Sequence, residues 1–123
     1  MAPLTDPDRL NAYKDALANW IFGGRNPFIQ LELNETALRW VKRELGNIKR
    51  REIGRLMHEY VEAGGEIDEV AETRPEWLDH DYHYDLRLTI QDKPVYIETR
   101  LVYQPPFQRD RSSILVVNIH APK

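Results

Sequence analysis

Between Tyr82 and Arg100 the chain sets ionisable side chains at alternate positions, the spacing that gathers residues onto one side of an extended strand. His83, Asp85, Arg87 and Thr89 share one side of the first run, and Tyr96, Glu98 and Arg100 share one side of the second. Together they offer a proton acceptor, a proton donor and a cation able to neutralise the charge of a phosphorane. Metal-free cleavage of RNA needs those roles and little else, because the 2′-hydroxyl is an internal nucleophile and the protein supplies positioning, proton transfer and charge. His120, at the end of a further β-branched run, is another proton-transfer candidate. The candidate site is therefore His83, Arg87, Tyr96, Glu98, Arg100 and His120, with Glu98 or His120 moving a proton and Arg100 stabilising the phosphorane. On the plainer reading the same charges pair across strands on a solvated sheet and do no chemistry.

Other chemistries find little in the sequence. It holds no phosphate-binding glycine loop, dinucleotide fingerprint, His-Glu-x-x-His helix or serine elbow, so no cofactor is expected. The stretch Asp79-His80-Asp81-Tyr82-His83 has metal-ligating residue types, but His80 and His83 fall on opposite sides of a strand and no metal is assigned. His58 reads as a helix boundary residue. The absence of cysteine excludes thiolate catalysis and a disulfide framework.

The elements that position the candidate face follow from periodicity. Thr5-Asp6-Pro7-Asp8 starts a helix, Leu10, Tyr13, Leu17, Trp20 and Ile21 continue it to about Phe22, and Gly23-Gly24 ends it. Ile29, Leu31 and Leu33 alternate as a short strand or extended linker. Asn34 caps a helix from Glu35 to Leu45 that Gly46 stops, and Ile53, Leu56, Met57, Tyr60 and Val61 mark a third helix ending at Gly64-Gly65. Residues 66–81 read as an acidic connection with a short strand near Ile67 to Val70. Strands are expected from Tyr82 to Ile90, from Val95 to Val102 and from Ile114 to His120, with a four-residue turn at Gln91 to Pro94 and a long polar loop from Gln104 to Ser113. That turn sets Ile90 opposite Val95, Arg87 opposite Glu98 and Asp85 opposite Arg100, leaving the charged face exposed. The expected fold is α+β: N-terminal helices on one face of a C-terminal antiparallel sheet of three to four strands.

With 123 residues, 41% hydrophobic and 30% charged, the chain is expected to be a single domain, 1–123, with its own core. No apolar run is long enough for a membrane span and the first residues lack a signal-peptide pattern, so a cytoplasmic protein without membrane contact is expected. The net charge of −3 hides a segregation. Residues 39–55 carry seven cations against two acids, a net of +5, and residues 59–81 carry nine acids against one cation, a net of −8. These are either solvated faces or surfaces with separate partners.

Amphipathic helices followed by a hairpin and a closing strand resemble the RelE/MqsR-type toxin ribonucleases. Lys93-Pro94-Val95-Tyr96-Ile97-Glu98 is similar to a short strand motif of that group, and Ile114 to His120 resembles its closing strand, so the likeness spans about residues 48–120. It implies a metal-independent endoribonuclease acting on RNA or ribosome-bound mRNA, with Tyr96 and Glu98 at motif positions and an antitoxin as protein partner. The overall acidity departs from the basic surface usual in such toxins. The competing expectation is a non-catalytic protein-interaction domain.

Overall fold

The computed structural model describes residues 2–22, 29–77, 81–104 and 108–122. The chain runs β1 (Ala2–Pro3), α1 (Pro7–Phe22), β2 (Ile29–Leu31), α2 (Glu35–Leu45), α3 (Arg50–Glu62), β3 (Ile67–Ala71), β4 (Tyr82–Ile90), β5 (Lys93–Gln104) and β6 (Gln108–His120), with a 3-10 turn at Pro75–Trp77. It is an α+β fold with mostly N-terminal helices. The glycine pair 23–24, expected to stop α1, lies outside the described residues.

Local chemistry sets the helix ends. Asp6 begins α1 by accepting the Arg9 backbone N–H at 3.0 Å, which holds its carboxyl below the usual carboxylate range. Asn34 accepts the Ala37 N–H at 2.8 Å, and Gly46 leaves α2 at φ 67°, a conformation that costs a residue without Cβ nothing. Each helix turns one apolar stripe to the sheet: Ala12, Tyr13, Ala16 and Leu17 from α1, Val41 and Leu45 from α2, and Ile53, Met57 and Val61 from α3.

The sheet has six strands in the order β1-β3-β4-β5-β6-β2, more than the three to four expected. β1 and β2, two and three residues long, are too short to show a period; β1 pairs antiparallel with β3, and β2 adds to β6 in parallel. The hairpin register also differs from expectation. Gln91 and Asp92 both adopt positive φ, 54° and 64°, and form a two-residue turn, so Ile90 faces Lys93 and Arg87 faces Tyr96. Arg87 is thus not opposite Glu98, nor Asp85 opposite Arg100: Asp85 faces Glu98. A slip of two residues keeps every side chain on its own face, so Leu86, Leu88, Ile90, Val95 and Ile97 still point into the core. β6 begins at Gln108, so most of the loop expected from Gln104 to Ser113 is strand.

The second sheet face, expected to be exposed, is covered over part of its area. Residues 72–77 lie across it, and Asp85, Glu98 and Arg100 are 2%, 6% and 0% exposed.

Candidate functional site

Two cross-strand rows organise the polar face. One runs Asp68, Asp85, Glu98, Asn118 through β3, β4, β5 and β6, and the next runs Arg87, Tyr96, His120 through β4, β5 and β6. A bulge at Val117 decides the last member of each. Glu98 pairs with Asn118 while Thr99 pairs with Val116, so one extra β6 residue is accommodated and the inward set shifts from Ile114 and Val116 to Ile119. Strict alternation would have put Asn118 and His120 in the core beside Val116; the bulge delivers them to the polar face.

Under the 72–77 segment the face is closed. Arg100 Nη1 donates to Glu98 Oε2 at 3.0 Å, its guanidinium carbon sits 5.1 Å from the Trp77 ring centroid, and its Nη2 lies 2.6 Å from Glu72 Oε2. That last contact lacks hydrogen-bond alignment, since neither atom has an aligned partner, so charge rather than a directed N–H holds it. Glu72 is fixed from its other oxygen, which accepts the Thr73 and Arg74 backbone N–H groups, and Arg74 Nη2 reaches Glu98 Oε2 at 2.5 Å. Four buried or half-buried charges therefore tie the acidic connection down onto β5.

The other half is open. The Tyr96 and His120 rings stack at 4.7 Å between centroids, and the Arg87 guanidinium lies 5.5 Å from the Tyr96 ring on the other side. Arg87 also donates to Asp68. His120 Nδ1 is 2.7 Å from the Ala121 carbonyl oxygen, which can only accept, so Nδ1 carries the proton and a neutral ring has its lone pair on Nε2. His83 has the same polarity, its Nδ1 donating to Asp85 Oδ1 at 2.8 Å. Burial, then the Asp85 hydrogen bond, raise the Tyr96 phenol above its ordinary value, so it is a donor rather than a base.

Of the six candidates, Arg87, Tyr96 and His120 come together, and His83 joins them through Asp85. Glu98 and Arg100 lie on the same face beneath the cover, engaged with Glu72 and Arg74. His83, Asp85 and Glu98 offer ligand atoms within 4.8 Å of one another and could hold a divalent cation. Glu98 Oε2 already receives two guanidinium groups, so a metal would have to bind through Oε1 or displace them. Sequence reasoning did not single out Asp85, which links His83 to Tyr96, or the covering trio Glu72, Arg74 and Trp77. Alternation had marked the Asp85 position; nothing periodic marks the trio.

No protein-family model matches this chain, and neither a curated protein nor a solved structure does.

Proposed function

We propose that the protein is a metal-independent endoribonuclease working from the open half of the polar face. The observation that carries this reading is the Arg87–Tyr96–His120 row, a cation and an imidazole held on either side of one phenol ring. His120 Nε2 takes the proton of an RNA 2′-hydroxyl, the 2′-oxygen attacks phosphorus, and the departing 5′-oxygen receives that proton. Arg87 neutralises the phosphorane. Tyr96 is a positioning residue, its ring holding His120. His83 does not share the same phosphate with His120: it lies four residues from Arg87 along β4, roughly 13 Å at a strand's rise. Its part is to orient Asp85. The likeness to RelE/MqsR-type toxins supports the same reading, with free RNA or ribosome-bound mRNA as substrate.

The test is single-turnover cleavage of both substrates in EDTA, with product ends analysed for cyclic phosphate. His120→Ala and Arg87→Ala each lower the rate about 100-fold or more with melting little changed. Wild-type protein that cleaves neither substrate, or variants that cleave as fast as wild type, overturn the reading. One observation favours the non-catalytic alternative, a protein-interaction domain with a partner such as an antitoxin: half of the polar face is closed by internal ion pairs, while Leu31 of β2 and Leu38 of α2 stand exposed.

A further inference from the structure

The basic block 39–55 plays no part in the polar face. Its cations occupy the corner where α2 ends, the chain turns at Gly46 and α3 begins. Arg39, Arg43 and Arg55 are paired with Glu35, Glu44 and Glu59. Lys42, Lys49, Arg50 and Arg51 are exposed and have no ion-pair partner among the described residues. In the acidic block Glu59, Asp68, Glu69 and Glu72 are engaged by Arg55, Arg87, Arg9 and Arg100, so their charge is turned inward on the chain itself. A chain of net charge −3 therefore keeps a concentrated positive corner, opposed locally by Glu52 and Asp92.

This corner is locked to the hairpin tip. Gln91 Nε2 donates to the Leu45 carbonyl at 3.1 Å, and Lys93 Nζ donates to the Glu44 carbonyl at 2.6 Å. Arg43 and then Lys93 hold the Glu44 carboxyl below the usual carboxylate range, so this acid is already neutralised. From the turn row Ile90–Lys93 to the row Arg87–Tyr96 is three residue steps, about 10 Å. Three steps put Lys93, on the helix side with Glu44, and Arg87 on opposite faces of the sheet, so a strand passing from the corner to Arg87 goes round the hairpin tip.

We infer that the α2–α3 corner is a docking surface for the phosphate backbone of single-stranded RNA, feeding the strand round the hairpin tip to the polar face. The inference rests on the ribonuclease reading for its choice of RNA. In-line attack by a 2′-hydroxyl requires a strand free to leave helical stacking, which is why the strand is single. Four unpaired cations on phosphates predict a fall of log affinity against log salt with a slope of about −3.

The experiment is fluorescence anisotropy with a labelled, fully 2′-O-methylated RNA, which has no nucleophile and reports binding whether or not the protein cleaves. The triple variant Lys49→Glu, Arg50→Glu, Arg51→Glu keeps the wild-type melting temperature, since acids in the first turn of α3 suit the helix dipole. It weakens binding about tenfold or more near 0.1 M salt and flattens the salt slope by about 2. Unchanged affinity or slope in the variant overturns the inference, as does wild-type binding of poly-glutamate as tight as of RNA, which would assign the corner to an acidic protein. Binding without cleavage of either an unmodified strand or ribosome-bound mRNA defeats the ribonuclease reading alone; cleavage that the triple variant retains in full, with equal binding, defeats this inference alone.

Discussion

Arg100 is the residue whose removal the structure makes most costly. It is fully buried, its guanidinium lies between Glu72 and Glu98, and Trp77 stacks against it. Arg100→Met keeps much of the volume and removes the charge. Glu98 retains Arg74, but Glu72 Oε2 loses the only cation near it, and the Glu72 side chain is 1% exposed. Breaking a buried pair from one side costs about 3–5 kcal/mol, and the lower end applies here, because Glu72 Oε1 keeps the Thr73 and Arg74 backbone N–H groups and Arg74 Nε at 3.7 Å while Oε2 is stranded. Domains of this size have about 5–15 kcal/mol in total, so the variant loses about a fifth or more of its stability and melts roughly 10–15 °C lower. Removing the whole cluster is a different experiment. In Arg100→Met with Glu72→Gln and Glu98→Gln no buried charge is stranded, Arg74 is half exposed and keeps its solvation, and stability returns to within about 1–2 kcal/mol of wild type. Urea denaturation at neutral pH followed by circular dichroism measures both. A loss under about 1 kcal/mol in the single variant, or a triple variant no better than the single, would refute the claim that charge pairing holds the 72–77 segment onto the sheet.

Tyr13 and the hairpin turn provide independent checks. The Tyr13 hydroxyl donates to Thr99 Oγ1 at 2.8 Å while Thr99 donates to the Tyr84 carbonyl, and complete burial raises the Tyr13 phenol above its ordinary value of 10.0. The folded state keeps a proton that the unfolded chain releases, so this contribution is whole below about pH 10 and is lost as pH rises above it. Tyr60 and Tyr96 are raised as well, so Tyr13→Phe removes part, not all, of the alkaline loss, read as urea midpoints from about pH 8 to about pH 11; an unchanged pH slope would contradict the burial argument. Asp92→Gly relieves a left-handed backbone at φ 64° and raises stability by about 0.5–1 kcal/mol, whereas a turn of four residues would show no gain.

Which parts of this protein could be read in advance depended on how far each signal lay along the chain from what it specifies. Helix ends were legible because Asn34 bonds a residue three positions away and Gly46 acts on its own φ. The two sheet faces were legible because alternation survives any even slip of register. The register itself was not, since Gln91-Asp92 contains neither of the Asn-Gly or Asp-Gly pairs that mark a two-residue turn, and Lys93-Pro94 looked like loop rather than strand. Parity failed at Val117, where a bulge decided whether His120 faced the core or the candidate site. The cover over Glu98 and Arg100 was invisible for a stronger reason. Arg74 meets a partner 24 residues away, Glu72 meets Arg100 from a segment with no period, and neither contact leaves a pattern in its own neighbourhood. Alternation shows that Glu98 and Arg100 share a face; it says nothing of what lies on top of that face. A polar face is solvated only if no other segment supplies the opposite charges, and here the acidic connection supplies Glu72 while carrying Arg74 and Trp77 with it. The open chemistry is thereby narrowed from a whole sheet face to the single row that the connection does not reach, Arg87, Tyr96 and His120.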